Sequence, residues 1–520
     1  MTVTAWLGLF FFIQILHFAC TWKLYIAANR KAWEAIVPVY NAVVLMKIIN
    51  RPRWWVILLF LPIINLIMIP VVWIETLRSF GKNTYKDTFL GIITLGLYIG
   101  YVNYTQELAH IKDRSLQTKS KSGEWVSSIL FAVVAASIIH TYFIQPFTIP
   151  TSSLEKTLLV GDYLFVSKLH YGARAPMTAL SLPMVHDTIP VVKSKSYINK
   201  PQLPYVRIPG FQKIKRNDIV VFNWPVATLV DINNPAKGSR IKPIDKKSNY
   251  VKRAVGIPGD SLAIVDKQMY INGEALELPD RAKLQFSYVV VSDKPLNLNY
   301  IAQRFDITDI FPLNREYTGF QAYMTDEAYE RLKSYPDIKS ITPITHEKGK
   351  VDQSIFPHDS RYGWNVDNFG PIYIPKKGAT VAITPETIPF YKSIIEVYEG
   401  REMGIDNKIQ VDYGNVLLNG EPITEYTFLQ DYYWMMGDNR HNSQDARNWG
   451  YVPFNHIVGK PVMVFMSINN RLQGLGNKIR TERLFTTVHG KGEPKSYLYY
   501  VIAGIVLLIV GGEIRKRRKK

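Results

Sequence analysis

Where the apolar runs fall constrains this chain more than anything else in it. They crowd the first 145 residues and recur once near the C-terminus, while residues 146–490 mix apolar and polar side chains as a water-folded region does. A helix needs about 20 mainly apolar residues to cross a bilayer. The runs at about 3–22, 54–73, 89–102 and 125–144 therefore read as four N-terminal transmembrane helices, and 497–512 as a C-terminal one. The first lacks a basic leader and a small-residue cleavage site, so it reads as a retained helix. Pro62 and Pro70 should kink or shorten the second, and the third is short and glycine-rich.

Basic residues set the expected orientation. Lys112, Arg114, Lys119 and Lys121 precede the run at 125–144, and the tail 513–520 ends in R-K-R-R-K-K. Placing both groups in the cytoplasm by the positive-inside rule puts 146–490 on the outer face. Four spans ahead of that region put Lys23, Arg30, Lys31, Lys47, Arg51 and Arg53 on the cytoplasmic side as well. Much of the formal charge of +19 is thus accounted for beside membrane spans, and no nucleic-acid motif accompanies it. Membrane lipid is the expected partner and nucleic acid is not. The single cysteine, Cys20, permits no intramolecular disulfide, and ten scattered histidines lack an H-E-x-x-H pattern. No metal or other cofactor is expected.

The outer region reads as mainly β. Residues 163–168, 218–224, 250–255 and 261–271 are strand-like runs bounded by Gly, Pro and Asp, and Asn272-Gly273 marks a hairpin. The pattern Q-M-Y-I-N-G-E at Gln268 returns as N-V-L-L-N-G-E at Asn415. Between them lies a long insertion, about 276–406, rich in Tyr, Pro and charge. Helices are expected in it from Thr325 and over about 387–399, with Ile388, Tyr391, Ile395 and Tyr398 on one side.

Two residues of this region invite chemistry. Ser153 lies in a polar dip just past Pro150, soon after the run ending at 144. Lys252 lies inside an apolar strand-like run whose alternation puts Tyr250, Lys252 and Ala254 on one face and Val251, Arg253 and Val255 on the other. An ammonium held against an apolar sheet face loses hydration, which lowers its pKa from about 10.4 towards neutrality. A neutral lysine can take a proton from serine. Each residue alone also has an ordinary reading, Ser153 as a helix-cap serine and Lys252 as a strand lysine reaching to solvent.

Four ordered blocks decide between these readings: I-P-T-S-S-L-E-K-T-L-L-V-G-D around Ser153, N-D-I-V-V-F-N-W-P from Asn217, Y-V-K-R-A-V-G-I-P-G-D around Lys252, and M-G-D-N-R-H-N-S-Q-D-A-R from Met436. In this order, after a membrane anchor, the chain resembles bacterial type I signal peptidases (leader peptidases), membrane-bound serine endopeptidases with a Ser/Lys dyad. The resemblance implies a signal-peptidase-like β fold for the catalytic domain, anchored by the N-terminal helices and the C-terminal one. It implies removal of signal peptides from exported preproteins after a small-x-small (Ala-x-Ala) motif, at the outer (periplasmic) face of the bacterial cytoplasmic membrane and beside the secretion machinery.

The same resemblance assigns roles. Ser153 is the nucleophile and Lys252 the general base. The oxyanion hole is the Ser153 N–H with the Thr151 hydroxyl, where many members carry serine. Ser443 orients the lysine, and Asp438 with Arg440 and Asp445 with Arg447 form two acid-x-base pairs that hold the loop. Phe147, Ile149, Leu154, Tyr250 and Val251 match positions lining shallow pockets for small side chains, each being equally suited to ordinary core packing. The chain departs from the usual pattern at Leu154 (commonly Met), Lys156 (commonly Pro) and His441 (commonly Asp). His441 near the dyad raises a histidine base, set aside because the lysine block is intact. Lys156 creates S-L-E-K, the S-x-x-K of penicillin-binding proteins, but the only K-S-G lies upstream at Lys121, in the wrong order for that class. A catalytically silent membrane receptor or assembly factor using the insertion is the alternative from another class.

Overall fold

The first apolar run forms one continuous helix, α1 (Val3–Ala27). A shorter helix, α2 (Tyr40–Ile48), follows. The computed structural model describes residues 3–117, 120–226, 228–229, 239–469 and 474–518. Lys119, Lys519 and Lys520, members of the expected cytoplasmic basic groups, lie outside them. Among the described residues three helices are long and apolar enough to cross a bilayer: Thr4–Ala27, Lys121–Phe143 and Leu498–Arg517.

The runs at 54–73 and 89–102, expected as single spans, are each two short helices. The first pair is α3 (Trp55–Phe60) and α4 (Asn65–Ser79). Leu61 is extended ahead of Pro62, as a residue before proline is pushed to be, and Ile63 takes φ of 70°. Pro70 lies inside α4 without ending it. The second pair, α5 (Tyr85–Ile93) and α6 (Leu97–Thr105), parts at Leu95 and Gly96, with φ of 52° and 84°. A Cβ on Gly96 would also lie 2.6 Å from the Trp73 indole, so glycine is required there twice over. Even the 15 residues of α4 reach only about 22 Å, short of the ~30 Å hydrocarbon core.

Both pairs fold back on themselves. Glu75, buried near the end of α4, takes Arg51 from ahead of α3 at 2.8 Å and Arg114 from beyond α6 at 2.6 Å. Lys82, ahead of α5, donates to Gln106, just after α6, at 3.0 Å. The ends of both hairpins therefore meet at one edge. Their inner faces pack with the end of α1 in a core that includes Tyr25, Met46, Ile49, Val72, Leu77, Ile99 and Val102. Outward, Ile57, Phe89, Ile93 and Leu95 remain exposed, as lipid-facing side chains would. This N-terminal unit continues through α7 (Lys121–Ile138) to Phe143 and also takes in Arg174–Val206.

The second unit, Ile144–Ala173 with Arg207–Lys520, is mainly β. One antiparallel sheet positions the site. Its strands are β1 (Ile144–Thr148), β2 (Asp162–Ser167), β3 (Ile219–Asn223), β4 (Asn249–Gly256), β5 (Tyr432–Met436), β6 (Val452–Pro453) and β7 (Ile457–Ser467), in the order β1-β2-β7-β3-β4-β5-β6. Alternation along β2 buries Leu164 and Val166, while Phe165 on the other face stacks on Phe465 at 4.2 Å. The run at 261–271 is two strands, Ser261–Val265 and Gln268–Ile271, turned at Asp266 and Lys267 with φ of 46° and 74°. Asn272-Gly273 and Asn419-Gly420 each close a two-residue hairpin with positive φ at both positions.

The insertion builds its own core. Phe286–Ser292, Asp309–Pro312, Gly319–Met324 and Ile338–Pro343 form a four-stranded antiparallel sheet around Val290, Phe320 and Ala322. The helix Asp326–Lys333 packs against it, capped by the Thr325 hydroxyl. Further on, Ile388–Ser393 is helical and passes into a wider turn, Ile394–Tyr398; Ile388, Tyr391, Ile395 and Tyr398 are all buried.

Glu75 holds two arginines in a nearly dry place, and breaking such a pair leaves uncompensated charge. Glu75→Gln is expected to destabilise the chain by roughly 3 kcal/mol, read as a lower Tm in detergent. Arg78→Ala, which removes a longer and more exposed contact, should cost less than about 1 kcal/mol.

Candidate active site

Beyond β1 the chain runs through Ile149, Pro150 and Thr151 into a single 3-10 turn, Ser152–Leu154, that carries Ser153. Leu154 and Ile149 pin this turn by burying their side chains among Leu158, Leu164, Ile219 and Val221. Lys252 sits in the middle of β4, opposite Val220 on β3, and is 3% exposed. Its Nζ lies 2.5 Å from Ser153 Oγ. Loss of hydration pulls the lysine down from 10.5 to about 8; Asp445 and Asp438 oppose that fall and Arg447 reinforces it.

The loop after β5 closes over this pair. Gly437 is there because a side chain would overlap both Ser443 and the Ser153 carbonyl oxygen. The Asn439 N–H donates to the Ser153 carbonyl at 3.1 Å, and Asn439 Nδ2 to that of Ser152 at 3.2 Å. Asn442 Nδ2 donates to Ser152 Oγ at 3.3 Å and to Asp309 at 2.8 Å. Asp445 pairs with Arg447 through two bonds of 2.9 and 2.8 Å, matching the expected pair.

Two expected contacts take another form. Asp438 does not pair with Arg440. It takes the Arg253 guanidinium in two bonds of 2.8 and 2.6 Å, because β4 delivers Arg253 directly beneath it, and accepts the Thr157 hydroxyl at 2.7 Å. Arg440 makes no ion pair among the described residues; its Nε is buried without a partner, and burial lowers its pKa to about 10. Ser443 Oγ donates to the Gln444 carbonyl at 3.4 Å, and among the described residues no hydrogen bond joins it to Lys252. It stands next to Gly437.

Thr151 caps the turn in extended conformation with an exposed side chain, and its hydroxyl has no partner among the described residues. Ser153, in the first turn, has a backbone N–H without an intrahelical acceptor. Both donors are thus available to an incoming oxygen. Of the five expected lining residues, Phe147 and Val251 are half-buried against the cluster that contains Ile149 and Leu154. Tyr250 belongs elsewhere, packed on Trp224 with ring centroids 4.2 Å apart.

Lys156 reaches away from Ser153 to Asp306 at 2.7 Å, so the S-x-x-K spacing brings no second lysine to the hydroxyl. Asp162 is a turn acceptor for the Leu159 N–H at 2.9 Å and also binds Arg483. His346, Asp367 and His441 bring their nitrogen and oxygen atoms within 4.8 Å of one another, a set that suggests a metal site. The Ser287 N–H donates to His441 Nδ1 at 3.2 Å, which leaves the proton on Nε2, 2.7 Å from Asp367 Oδ1. With its free lone pair turned to a backbone N–H, His441 serves Asp367 as a hydrogen-bond donor rather than an ion as a ligand.

The sequence carried a usable signal for Arg253, a second charge inside an apolar strand that had to find a carboxylate. Gln285, Ser287, Asp309 and Asp367 carried none, because each meets the loop only through tertiary folding.

Comparison with known proteins gives this geometry a family. Residues 33–113 match a family described only as of unknown function, DUF5684. A signal peptidase I of Buchnera aphidicola (subsp. Schizaphis graminum) is 25% identical over 362 residues, 69% of this chain and 80% of its own. One of Haemophilus influenzae is 22% identical over 389 residues, 73% and 80% of the two chains. One of Rickettsia massiliae is 30% identical over 164 residues, 32% and 48%. The family model described as "Signal peptidase, peptidase S26" matches residues 122–313 and 392–466, more than half of the sequence. Both Ser153 with Lys252 and the loop that rests on them fall inside those matched stretches, and the chain belongs to the signal peptidase family, peptidase S26.

Proposed function

We propose that the chain is a signal peptidase I that removes N-terminal signal peptides from exported preproteins after a small-x-small motif, with Ser153 as nucleophile and Lys252 as general base. The observation that carries this reading is the contact of 2.5 Å between Ser153 Oγ and the amine of a lysine held down to about 8. Ser153 Oγ attacks the scissile carbonyl carbon while its proton passes to neutral Lys252. The resulting oxyanion receives hydrogen bonds from the Ser153 N–H and the Thr151 hydroxyl. As the C–N bond breaks, Lys252 returns the proton to the leaving amine, and an ester on Ser153 remains. Water, deprotonated by Lys252, then attacks the ester carbonyl and frees Ser153.

Orientation follows from charge. Lys112, Arg114 and Lys121 lead into α7, and Arg515, Lys516, Arg517 and Arg518 end the C-terminal helix. With both groups in the cytoplasm, the β unit lies on the outer face of the cytoplasmic membrane, beside the secretion machinery that delivers its substrates. The α3–α4 and α5–α6 hairpins enter from the cytoplasmic side and return to it.

Purified chain in detergent should process a preprotein bearing an Ala-x-Ala site, and Ser153→Ala should not; an inert parent would instead favour a silent receptor. Below saturation the rate should rise with pH and level off above about 8, as Lys252 loses its proton. Lys252→Met should be inactive yet more stable. An amine lowered by folding destabilises the fold fully below about 8, and that penalty fades as pH approaches 10.5. The gain should therefore reach up to roughly 3 kcal/mol near pH 7 and vanish towards pH 11, read as Tm against pH.

A further inference from the structure

His441 stands on the loop that covers the dyad, and its partner comes from a part of the chain that the family model passes over. Asp367 lies between the two matched stretches, which end at 313 and resume at 392. It is 2% exposed. Its Oδ1 accepts His441 Nε2 at 2.7 Å, and its Oδ2 accepts the His346 N–H at 2.9 Å and His346 Nδ1 at 3.1 Å. The turn that carries it is itself fixed, since the Asp367 and Asn368 N–H groups both donate to Asn365 Oδ1, at 3.0 and 2.9 Å.

The other side of the imidazole is held by the same insertion. Ser287 offers its N–H to His441 Nδ1 at 3.2 Å and its hydroxyl at 2.9 Å, and the Phe286 ring meets His441 edge-on at 5.4 Å. The backbone continues the hold: the Gln285 N–H donates to the Asp438 carbonyl at 3.0 Å and the Arg440 N–H to that of Gln285 at 2.9 Å. Beyond His441 the loop rests on the nucleophile turn through Asn439 and the Ser153 carbonyl. An insertion that served only as a separate binding module would have no need to grip these residues from both sides.

We propose that Asp367 is a positioning residue for the cleavage reaction, fixing through His441 the loop 437–443 that sets the Ser153 turn against Lys252. The proposal rests on the signal peptidase reading above. Small displacements of such a turn are sufficient to slow a reaction steeply without altering how substrate binds.

The test uses the full chain in detergent with an Ala-x-Ala preprotein. Asp367→Ala should lower kcat about tenfold and leave KM within about twofold. Asp367→Asn, whose amide oxygen still accepts the His441 proton, should recover most of that loss. His441→Ala should match Asp367→Ala, and the double variant should be no slower than either, as for residues acting through one contact. Hydrogen exchange over 437–443 should quicken in Asp367→Ala. Parent-like kcat in Asp367→Ala, no rescue in Asp367→Asn, or losses that multiply in the double variant would overturn the proposal. Should the parent itself fail to cleave, the signal peptidase reading falls on its own. Exchange then decides the clasp, with unchanged rates overturning it and faster rates supporting it.

Discussion

An amine without water is the constraint on which this site depends. Lys252 can act as a base near neutral pH only if nothing nearby stabilises its charge, yet two carboxylates, Asp438 and Asp445, are close enough to raise its pKa. Each is occupied by a guanidinium, Arg253 on Asp438 and Arg447 on Asp445, through two bonds apiece. The acids therefore keep the loop in place, Arg447 offsets part of their pull on the lysine, and burial, the largest influence, holds its pKa below the usual value. Two buried ion pairs of this kind contribute little net stability. Under the proposed mechanism, their value lies in holding charge apart from the proton that Lys252 would take.

The N-terminal unit meets a different constraint. Its apolar runs are divided by Pro62 and by Leu95-Gly96, and neither half of either pair is long enough to cross. Each pair folds into a hairpin that leaves an apolar face exposed and brings its ends together, where buried Glu75 gathers Arg51 and Arg114. Replacing two crossings by two returns leaves the number of remaining crossings even, so the side assigned to the β unit is the same under either description. The stretch concerned coincides with the match to a family of unknown function, residues 33–113.

Local chemistry was legible in the sequence, and long-range pairing was not. The strands around Lys252, the Asn-Gly hairpins and the capped helix after Thr325 are written in alternation, turn residues and a capping hydroxyl, all within a few residues of one another. Pro62 marked the break in the run at 54–73, whereas the one at Leu95 was not evident, because a non-glycine residue with positive φ leaves no clear mark in an apolar run. The strand at 261–271 hid its turn for the same reason, Asp266-Lys267 reading as ordinary polar positions. Within the site, the resemblance implied a pair between Asp438 and Arg440, but the fold brings Arg253, 185 residues distant, onto Asp438 instead. Asp367 reaches His441 across 74 residues, and only the folded insertion brings the two together.

The helices that flank the β unit in sequence, one ending at Phe143 and one starting at Leu498, give the region that carries Ser153 an attachment at each end. A body hung from one tether can swing and spin, and its active face spends much of its time turned from the surface. Two tethers remove most of that rotational freedom before any substrate arrives. A preprotein held by its own apolar segment is likewise confined to the plane, so encounter becomes a two-dimensional search between partners already restricted in orientation, and effective concentration rather than intrinsic affinity governs how often they meet.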